Sequence, residues 1–247
     1  MTQRIVGIHA VEAALASSSG RVTRIYLDRE RADRFGKLAD LARRAGVPIE
    51  SVPRHELDRK DPSRRHQGVV ADVRAHEGAT LEETLKRIPA GGRVAVVLDG
   101  VTDPQNLGAI LRSCGAFGVS FVVLPRDRSA QVTPLVDQIS SGASDAVPIV
   151  TATNLTRALE TLKEAGFWCY SLEADGEAML HEIDLSGDVA IVMGSEGKGA
   201  RRLVREHTDR VCRLPAAGPI ASLNVAAATA CALYEVHRQR LTASKRT

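Results

Sequence analysis

Three segments of this chain concentrate the residue types that do chemistry. They are LDGVTDPQNLGAILRSCGAFG from Leu98, IVMGSEGKGARRLV from Ile191 and LPAAGPIASLNVAAATACALYEVHRQR from Leu214. Each runs from a short apolar stretch through a loop rich in Gly, Pro, Asn or Ser into a helical pattern. Loops in that position present backbone N–H groups and short polar side chains to a ligand at the strand ends. Three of them in one chain read as one active site.

In the first segment Asp103 suits a helix N-cap and Pro104 the first helical position. Arg112 lies six residues beyond Asn106. Its spacing from Leu107 and Leu111 leaves open whether it is a surface arginine or a guanidinium aimed at a phosphate, a task its fork geometry suits. In the second, Gly194-Ser-Glu-Gly-Lys-Gly199 is neither G-x-x-x-x-G-K-[ST] nor G-x-G-x-x-G, which weakens kinase, NTPase and dinucleotide readings. Glu196 in its middle would repel a phosphate. It suits a partner for an arginine or a cationic ligand, or a carboxylate at a helix N-terminus. In the third, Ser222 reads as an N-cap with Asn224 in the first turn, or both as polar site residues. The small residues Ala226, Ala227, Ala228, Ala230 and Ala232 would let a helix or backbone approach closely, in the core or in a dimer contact. SSGAS at 140–144 is no G-x-S-x-G elbow, so Ser-His-Asp hydrolysis is unsupported.

Composition narrows the class. The chain has 247 residues and contains no run of 18 apolar residues, so neither a membrane span nor a signal peptide is expected and the reading is a cytosolic protein. Cys114, Cys169, Cys212 and Cys231 are far apart with no C-x-x-C pair and read as reduced core residues. The histidines show no ligand spacing, so no metal site is expected. The net charge of +3 divides into +5 over residues 1–75 and −2 over 76–247, which suits a polyanion docking on the first third. Aromatics at 3% argue against a base-stacking platform.

The elements that must position the three loops follow. Residues 5–17 space their apolar side chains like a helix, RIYLD (24–28) and PIESV (48–52) read as strands, RADRFGKLADLARRAG as a helix stopped by Gly46, and HQGVVADVR (66–74) as another strand. Residues 1–75 thus form a small α/β domain. Residues 76–92 are polar, carry one short helical pattern and end in Pro-Ala-Gly-Gly, which reads as a linker. From 93 to 247, VAVVLD, FVVLP, VPIV, FWCYSL, VAIVM and RVCRLP are continuous apolar runs alternating with helices. That is the signature of a parallel sheet covered on both faces, with ligands beyond the carboxyl ends of its strands.

Taken together, the segments resemble in order and spacing the three motifs of the SpoU/TrmH (SPOUT) family of RNA 2′-O-ribose methyltransferases. The matching residues are Asn106, Leu107, Gly108 and Arg112; Met193, Gly194, Glu196 and Gly197; and Pro215, Gly218, Ser222, Leu223 and Asn224. GIHAVEAAL (7–15) and HQGVVADV (66–73) resemble the N-terminal substrate-binding domain of the members that act on 23S ribosomal RNA. The resemblance implies an open parallel α/β sheet with a C-terminal trefoil knot, a small N-terminal L30e-like domain and a homodimer. It implies methyl transfer from S-adenosyl-L-methionine to the ribose 2′-oxygen of a guanosine in the P loop of 23S ribosomal RNA. On the same ground Arg112 is the catalytic arginine, with Asn106 and Glu196 holding it in place and Ser222 and Asn224 as the polar pair of the third motif. Gly194, Leu214, Ala216 and Leu223 fall where the family contacts the cofactor. Ala216 stands where the family usually has Met, and Ala226 where it has Ser. A guanidinium keeps its proton far above neutral pH, so Arg112 is expected to grip the phosphate beside the target ribose. Two other readings stay open at this point: a different RNA, or an RNA-binding assembly protein without catalysis.

Overall fold

The computed structural model describes residues 2–16, 20–63, 65–74, 79–219 and 222–243, with the side chains of Thr2, Gln3, Ala32, Pro134 and Ala243 left out. In chain order the elements are β1 (Thr2–Val6), α1 (Ile8–Ala16), β2 (Val22–Asp28), α2 (Gly36–Arg44), β3 (Ile49–Val52), α3 (Arg54–Lys60), β4 (Val69–Arg74), α4 (Leu81–Arg87), β5 (Val94–Asp99), α5 (Pro104–Ala116) and β6 (Phe121–Pro125). They continue with α6 (Pro134–Ser140), α7 (Ala143–Ala146), β7 (Ile149–Ala152), α8 (Leu155–Glu164), β8 (Trp168–Leu172), β9 (Ala178–Met179), β10 (Val189–Gly194), α9 (Arg202–Glu206), β11 (Arg210–Arg213) and α10 (Val225–Ala243). The chain forms two units, Met1–Glu77 with Gln131–Ala146, and Gly78–Ala130 with Val147–Thr247.

The first unit holds a four-stranded sheet in the order β1-β4-β2-β3, antiparallel except for the parallel β2/β3 pair. Val11, Ala14, Ile25, Phe35, Leu38, Ala42, Val69 and Ala71 form its core. The helix expected from residue 5 begins only at Ile8: Ile5 and Val6 pair with Ala71 and Val70, and Gly7 at φ +95° breaks the strand before the helix. The helix expected over 31–46 is split. A 3-10 stretch, Arg29–Phe35, with non-helical Arg31 (φ −126°) inside it, precedes α2, because Phe35 turns into the core at 2% exposure. Gly46 ends the segment at φ +66°, where a left-handed residue stops a helix without steric penalty. The segment Gln131–Ala146 joins this unit through Arg21, whose buried guanidinium binds Asp145 and, at 3.2 Å, Asp137. Burial opposes the charge on Arg21, but the two carboxylates raise its pKa further still.

The second unit is a seven-stranded, all-parallel sheet in the order β7-β6-β5-β10-β8-β11-β9. Both faces are covered, which is why Val94–Asp99 and Val189–Gly194 are buried throughout. Ala95, Val97, Phe121, Val123, Ala190 and Val192 face Leu155, Leu159 and Leu162 of α8, while α5 and α10 pack on each other and α10 on β10. The short pattern in the expected linker is helix α4, started by a capping box between Thr80 and Glu83. Leu81, Leu85 and Ile88 pack on the core of this second unit; residues 76–78 lie outside the described residues. Cys114, Cys169 and Cys212 are buried, and burial pushes their thiols up to about 12, 12 and 11. Cys231 is exposed, against expectation, because it lies on the outer side of α10.

Strand order reverses between β5 and β10: β6 and β7 follow β5 on one side, while β8, β11 and β9 lie beyond β10 on the other. The amino ends of this central pair are clamped by Asp188, which accepts from the Arg93 backbone N–H (2.6 Å), its Nε (2.9 Å) and its Nη2 (2.6 Å), and from the Gly91 N–H (3.3 Å). Burial works against the carboxylate, but these bonds outweigh it and hold Asp188 below the usual carboxylate pKa. A depressed pKa stabilises the fold fully above the unfolded-state value of about 4 and ceases to do so as pH falls through the folded value. Asp188→Asn, which leaves the buried Arg93 uncompensated, should therefore lower unfolding free energy at pH 7 by about 3–5 kcal/mol. Urea titrations should show the gap from the parent shrinking as pH drops below about 4.

Candidate active site

At the carboxyl ends of the central strands, Gly194 of β10 pairs in register with Asp99 of β5, Met193 with Leu172 of β8, and Leu172 with Cys212 of β11. The three loops singled out in the sequence therefore leave the same end of the sheet, the first two from the adjacent strands β5 and β10 at the switch point where open parallel sheets bind ligands, and the third from β11, two strands beyond β10.

The second loop is shaped by its glycines and by two carboxylates, the buried Asp99 and the partly buried Glu173. Ser195 and Gly199 exchange backbone hydrogen bonds at 3.0 Å each, with Gly197 and Gly199 at φ +76° and +67°. A Cβ on Gly194 would overlap the backbone of Gly199 and Ala200, so only glycine lets the returning chain lie on the strand end. Asp99, 1% exposed, accepts from the Arg201 backbone N–H and its Nε, both at 2.7 Å. Glu173, just beyond β8, accepts from the Ala200 N–H (2.9 Å) and from the Ser171 hydroxyl (2.8 Å). Reading by motif missed Asp99 and Glu173 as loop anchors; the signal available was an acidic residue at the end of an apolar strand run. The expectation of Glu196 at a helix N-terminus fails, because α9 starts only at Arg202 and Glu196 sits in the turn.

Glu196 is where the loops meet. Its Oε1 accepts from Asn224 Nδ2 at 2.7 Å and from Asn106 Nδ2 at 3.1 Å, and Asn106 Oδ1 accepts from Asn224 Nδ2 at 2.9 Å. Asn224 Oδ1 in turn accepts from the backbone N–H of Ala226 (2.9 Å) and Ala227 (3.4 Å). Asn224 is therefore the N-cap of α10, not a first-turn residue behind a Ser222 cap. The capping bond fixes the amide's orientation: with the oxygen on the helix, the NH2 must face Glu196. Asn106 sits in the first turn of α5, behind the Asp103 cap and Pro104. One carboxylate is thus bridged to the N-termini of two helices, whose partial positive charges favour it.

Arg112 is exposed and makes no hydrogen bond or ion pair among the described residues. Asn106 and Glu196 do not hold it, contrary to expectation. Six residues along a helix advance about 9 Å and turn the side chain about 120° off the starting face. Ser222, Leu223 and Ala216 lie in the exposed stretch between β11 and α10, with Leu223 55% exposed and Leu214 half-buried at its start. The backbone N–H groups of Ala216, Ala217, Gly218, Ser222 and Leu223 donate to nothing among the described residues. Free amides beside an exposed Leu fit a ligand with an apolar body and hydrogen-bonding edges, as a nucleoside cofactor has. Among the described residues no group of three His, Cys, Asp or Glu is placed to hold a metal, and no helix is long and apolar enough to cross a membrane. The alanines of α10 do not share a face: Ala226 and Ala232 are buried while Ala227 is exposed.

Residues 93–234 match the model of the SpoU rRNA Methylase family, and residues 4–79 match that of the RNA 2′-O ribose methyltransferase substrate-binding domain. The chain belongs to the SpoU methylase family. Within it, the chain is 45% identical to the 23S rRNA (guanosine-2′-O-)-methyltransferase RlmB of Pseudomonas syringae pv. tomato over 242 residues, covering 96% of each chain. Among solved structures, an RNA 2′-O ribose methyltransferase aligns with a TM-score of 0.78 at 27% identity, over 97% of this chain and 89% of that one. The fold is also that of the SpoU methyltransferase AviRb from Streptomyces viridochromogenes, solved in complex with the cofactor AdoMet, with a TM-score of 0.79 at 24% identity over 97% and 90% of the two chains.

The bridge between loops makes a stability prediction. Asn224→Ala should remove the α10 cap and lower stability by about 1 kcal/mol, or about 2–4 °C in melting temperature. Asn224→Asp keeps a capping oxygen but sets a second carboxylate against Glu196. It should melt below the parent at low ionic strength, with the gap narrowing as added salt screens the pair. Calorimetry at low and high salt checks both.

Proposed function

We propose that this protein transfers a methyl group from S-adenosyl-L-methionine to the ribose 2′-hydroxyl of a guanosine in 23S ribosomal RNA, at the P loop. The observation that carries this is the Asn106–Glu196–Asn224 bridge, which brings all three family motifs to one point at the sheet's switch crevice. Family membership and the RlmB relatives support the reaction and the RNA class.

When bound, the cofactor supplies an activated methyl on a sulfonium, and the transfer is a direct displacement. The chain's residues have two tasks: to hold donor and acceptor in line, which by itself supplies much of the acceleration, and to keep water out. Leu214, Ala216, Leu223 and the end of β10 at Gly194 would hold the cofactor, largely through backbone N–H groups. Glu196, fixed by Asn106 and Asn224, shapes the crevice wall, and Ser222 borders it. Arg112, unpartnered among the described residues, grips the phosphate beside the target ribose. Its offset from the Asn106 face suits an arginine that meets RNA rather than the carboxylate.

Three finer readings belong to this proposal. Residues 1–75 act as an L30e-like RNA-docking domain, 76–92 as the connection and 93–247 as the catalytic domain; the excess of +5 in the first 75 residues supports the docking role. The match of residues 93–234 to the SpoU family supports a C-terminal trefoil knot in the catalytic domain. The enzyme acts in the cytoplasm as a homodimer through the catalytic domain, which the exposed residues Ala227, Cys231, Tyr234 and Leu241 along α10 support.

Ribosomal RNA from a strain lacking this protein, incubated with the enzyme and labelled S-adenosylmethionine and mapped by mass spectrometry, should acquire one 2′-O-methylguanosine in the P loop. A methyl elsewhere would point to another RNA site. No transfer with the cofactor still bound would point to an assembly role. Arg112→Ala should leave cofactor affinity unchanged and lower turnover by about a hundredfold or more. Arg112→Lys should fail as well, since an ammonium lacks the fork. Equal loss of cofactor binding and turnover would refute the role given to Arg112.

A further inference from the structure

A second built site lies in the first unit, around the turn that leads into β4. His66 is fully buried, with its Nε2 3.0 Å from Asp58 Oδ1 and its Nδ1 accepting from the Gly68 N–H at 3.0 Å. These partners place the proton on Nε2. Gly68, at φ +91°, is pinned from the other side: a Cβ there would come within 2.9 Å of the Phe35 ring and 3.3 Å of Asp28 Cβ. The Gly68 carbonyl accepts from the Asp28 N–H at 2.9 Å, and the His66 carbonyl from the Val69 N–H at 2.8 Å.

Between these two fixed residues stands Gln67, at φ +52°. Glutamine disfavours this left-handed conformation, and glycine adopts it without steric penalty. Gln67 is exposed, and its amide makes no hydrogen bond among the described residues. The fold therefore gains nothing visible from that side chain, yet holds it in a strained pose on a rigid mount. Observed strain of this kind concentrates where ligands bind. Behind the turn, Asp28 is 1% exposed, and its Oδ2 has no hydrogen-bond partner among the described residues. Among the described residues Arg54 pairs with it at 3.7 Å and is itself about half exposed. Arg29, the next residue, bonds the Ser51 carbonyl at 3.3 Å and is also exposed. The turn that carries this amide, with its two donors and one acceptor, is thus bonded through Gly68 to Asp28, which pairs with Arg54 and is followed by Arg29.

We infer that Gln67 reads the edge of an unpaired RNA base in the substrate, while Arg54 and Arg29 hold the flanking phosphates. The chemistry matches how proteins read single-stranded RNA, by hydrogen bonds to base edges with cations on the backbone. The buried Asp28 carboxylate orients Arg54, and the His66–Asp58 pair sets the turn. This inference rests on the proposed RNA methyltransferase reading and adds a substrate-reading residue in the first unit.

The test uses the full-length protein, a fluorescein-labelled transcript of the P-loop hairpin of 23S ribosomal RNA, and anisotropy alongside steady-state transfer. Gln67→Gly should melt at or above the parent temperature, bind S-adenosylmethionine unchanged, and lose about tenfold in RNA affinity, with the loss appearing in KM rather than kcat. Gln67→Asn, which tolerates a left-handed backbone but shortens the amide, decides the same question if glycine lowers the melting temperature. Arg54→Gln should weaken RNA binding and reduce its salt dependence by about one phosphate contact. RNA affinity and KM unchanged in both Gln67 variants overturn the inference while the methyltransferase reading stands. A parent protein that binds the hairpin through Gln67 but transfers no methyl overturns that reading and leaves the base contact intact.

Discussion

The parallel pairing of β5 with β10 is the constraint on which the rest of the catalytic unit depends. It joins residues some 95 positions apart, Asp99 opposite Gly194, and nothing local in the chain brings them together. What holds the pair is burial: Val94–Leu98 and Val189–Met193 all lie inside, between helices on both faces, and each large aliphatic side chain so buried contributes about 1.5–3 kcal/mol. The register then has chemical consequences. Because Asp99 and Gly194 are level, the buried Asp99 carboxylate catches Arg201 just as the loop returns, and the bare Gly194 lets that return lie flat against the strand end. A slip of one residue would place Met193 where the glycine is needed and turn Asp99 toward a helix-covered face.

Once the loop is held, Glu196 has one place to go. Its oxygen takes two amide N–H donors from the starts of α5 and α10. Hydrogen bonds to a charged group are worth about 1.5–3 kcal/mol where water is excluded. Here Glu196 and Asn224 are exposed, so the bridge contributes more to geometry than to stability. It spaces the two helices at the crevice and fixes where the free amides of the segment between β11 and α10 face. Arg112 stands outside this network, so the residues that build the crevice are separate from the exposed cation proposed to meet the substrate.

The sequence made some of this legible and hid the rest. Continuous apolar runs announced a parallel sheet, and Asp103-Pro104 announced the start of α5, because both signals are local. The convergence of the three loops was readable as a grammar of strand, loop and helix. Which residues touch within it was not: the partner of Glu196 is an asparagine, and the arginine expected there lies two turns along α5 facing away. Nor could the pattern show that Asn224, not Ser222, caps α10, since both are good caps two residues apart. The break in the helix expected over 31–46 depended on a tertiary fact, the turning of Phe35 into the core. The assignment of Gln131–Ala146 to the first unit depended on another, the pairing of Arg21 with acids more than a hundred residues away.

The two departures from the family pattern become intelligible in the same terms. Ala226 replaces a serine, but the position contributes its backbone N–H to the Asn224 cap, and its side chain is 9% exposed. A methyl there meets the buried surroundings without a hydroxyl that would need its own partner. Ala216 replaces a methionine in the exposed stretch after β11, where the free groups are backbone amides. A contact made by an amide survives a change of side chain; a contact made by shape does not. The alanine therefore widens the wall of the proposed cofactor pocket and leaves its donors in place. On the proposed reading, the cofactor is held through backbone conformation, set by the Pro and Gly residues of the segment, more than through a fitted side chain.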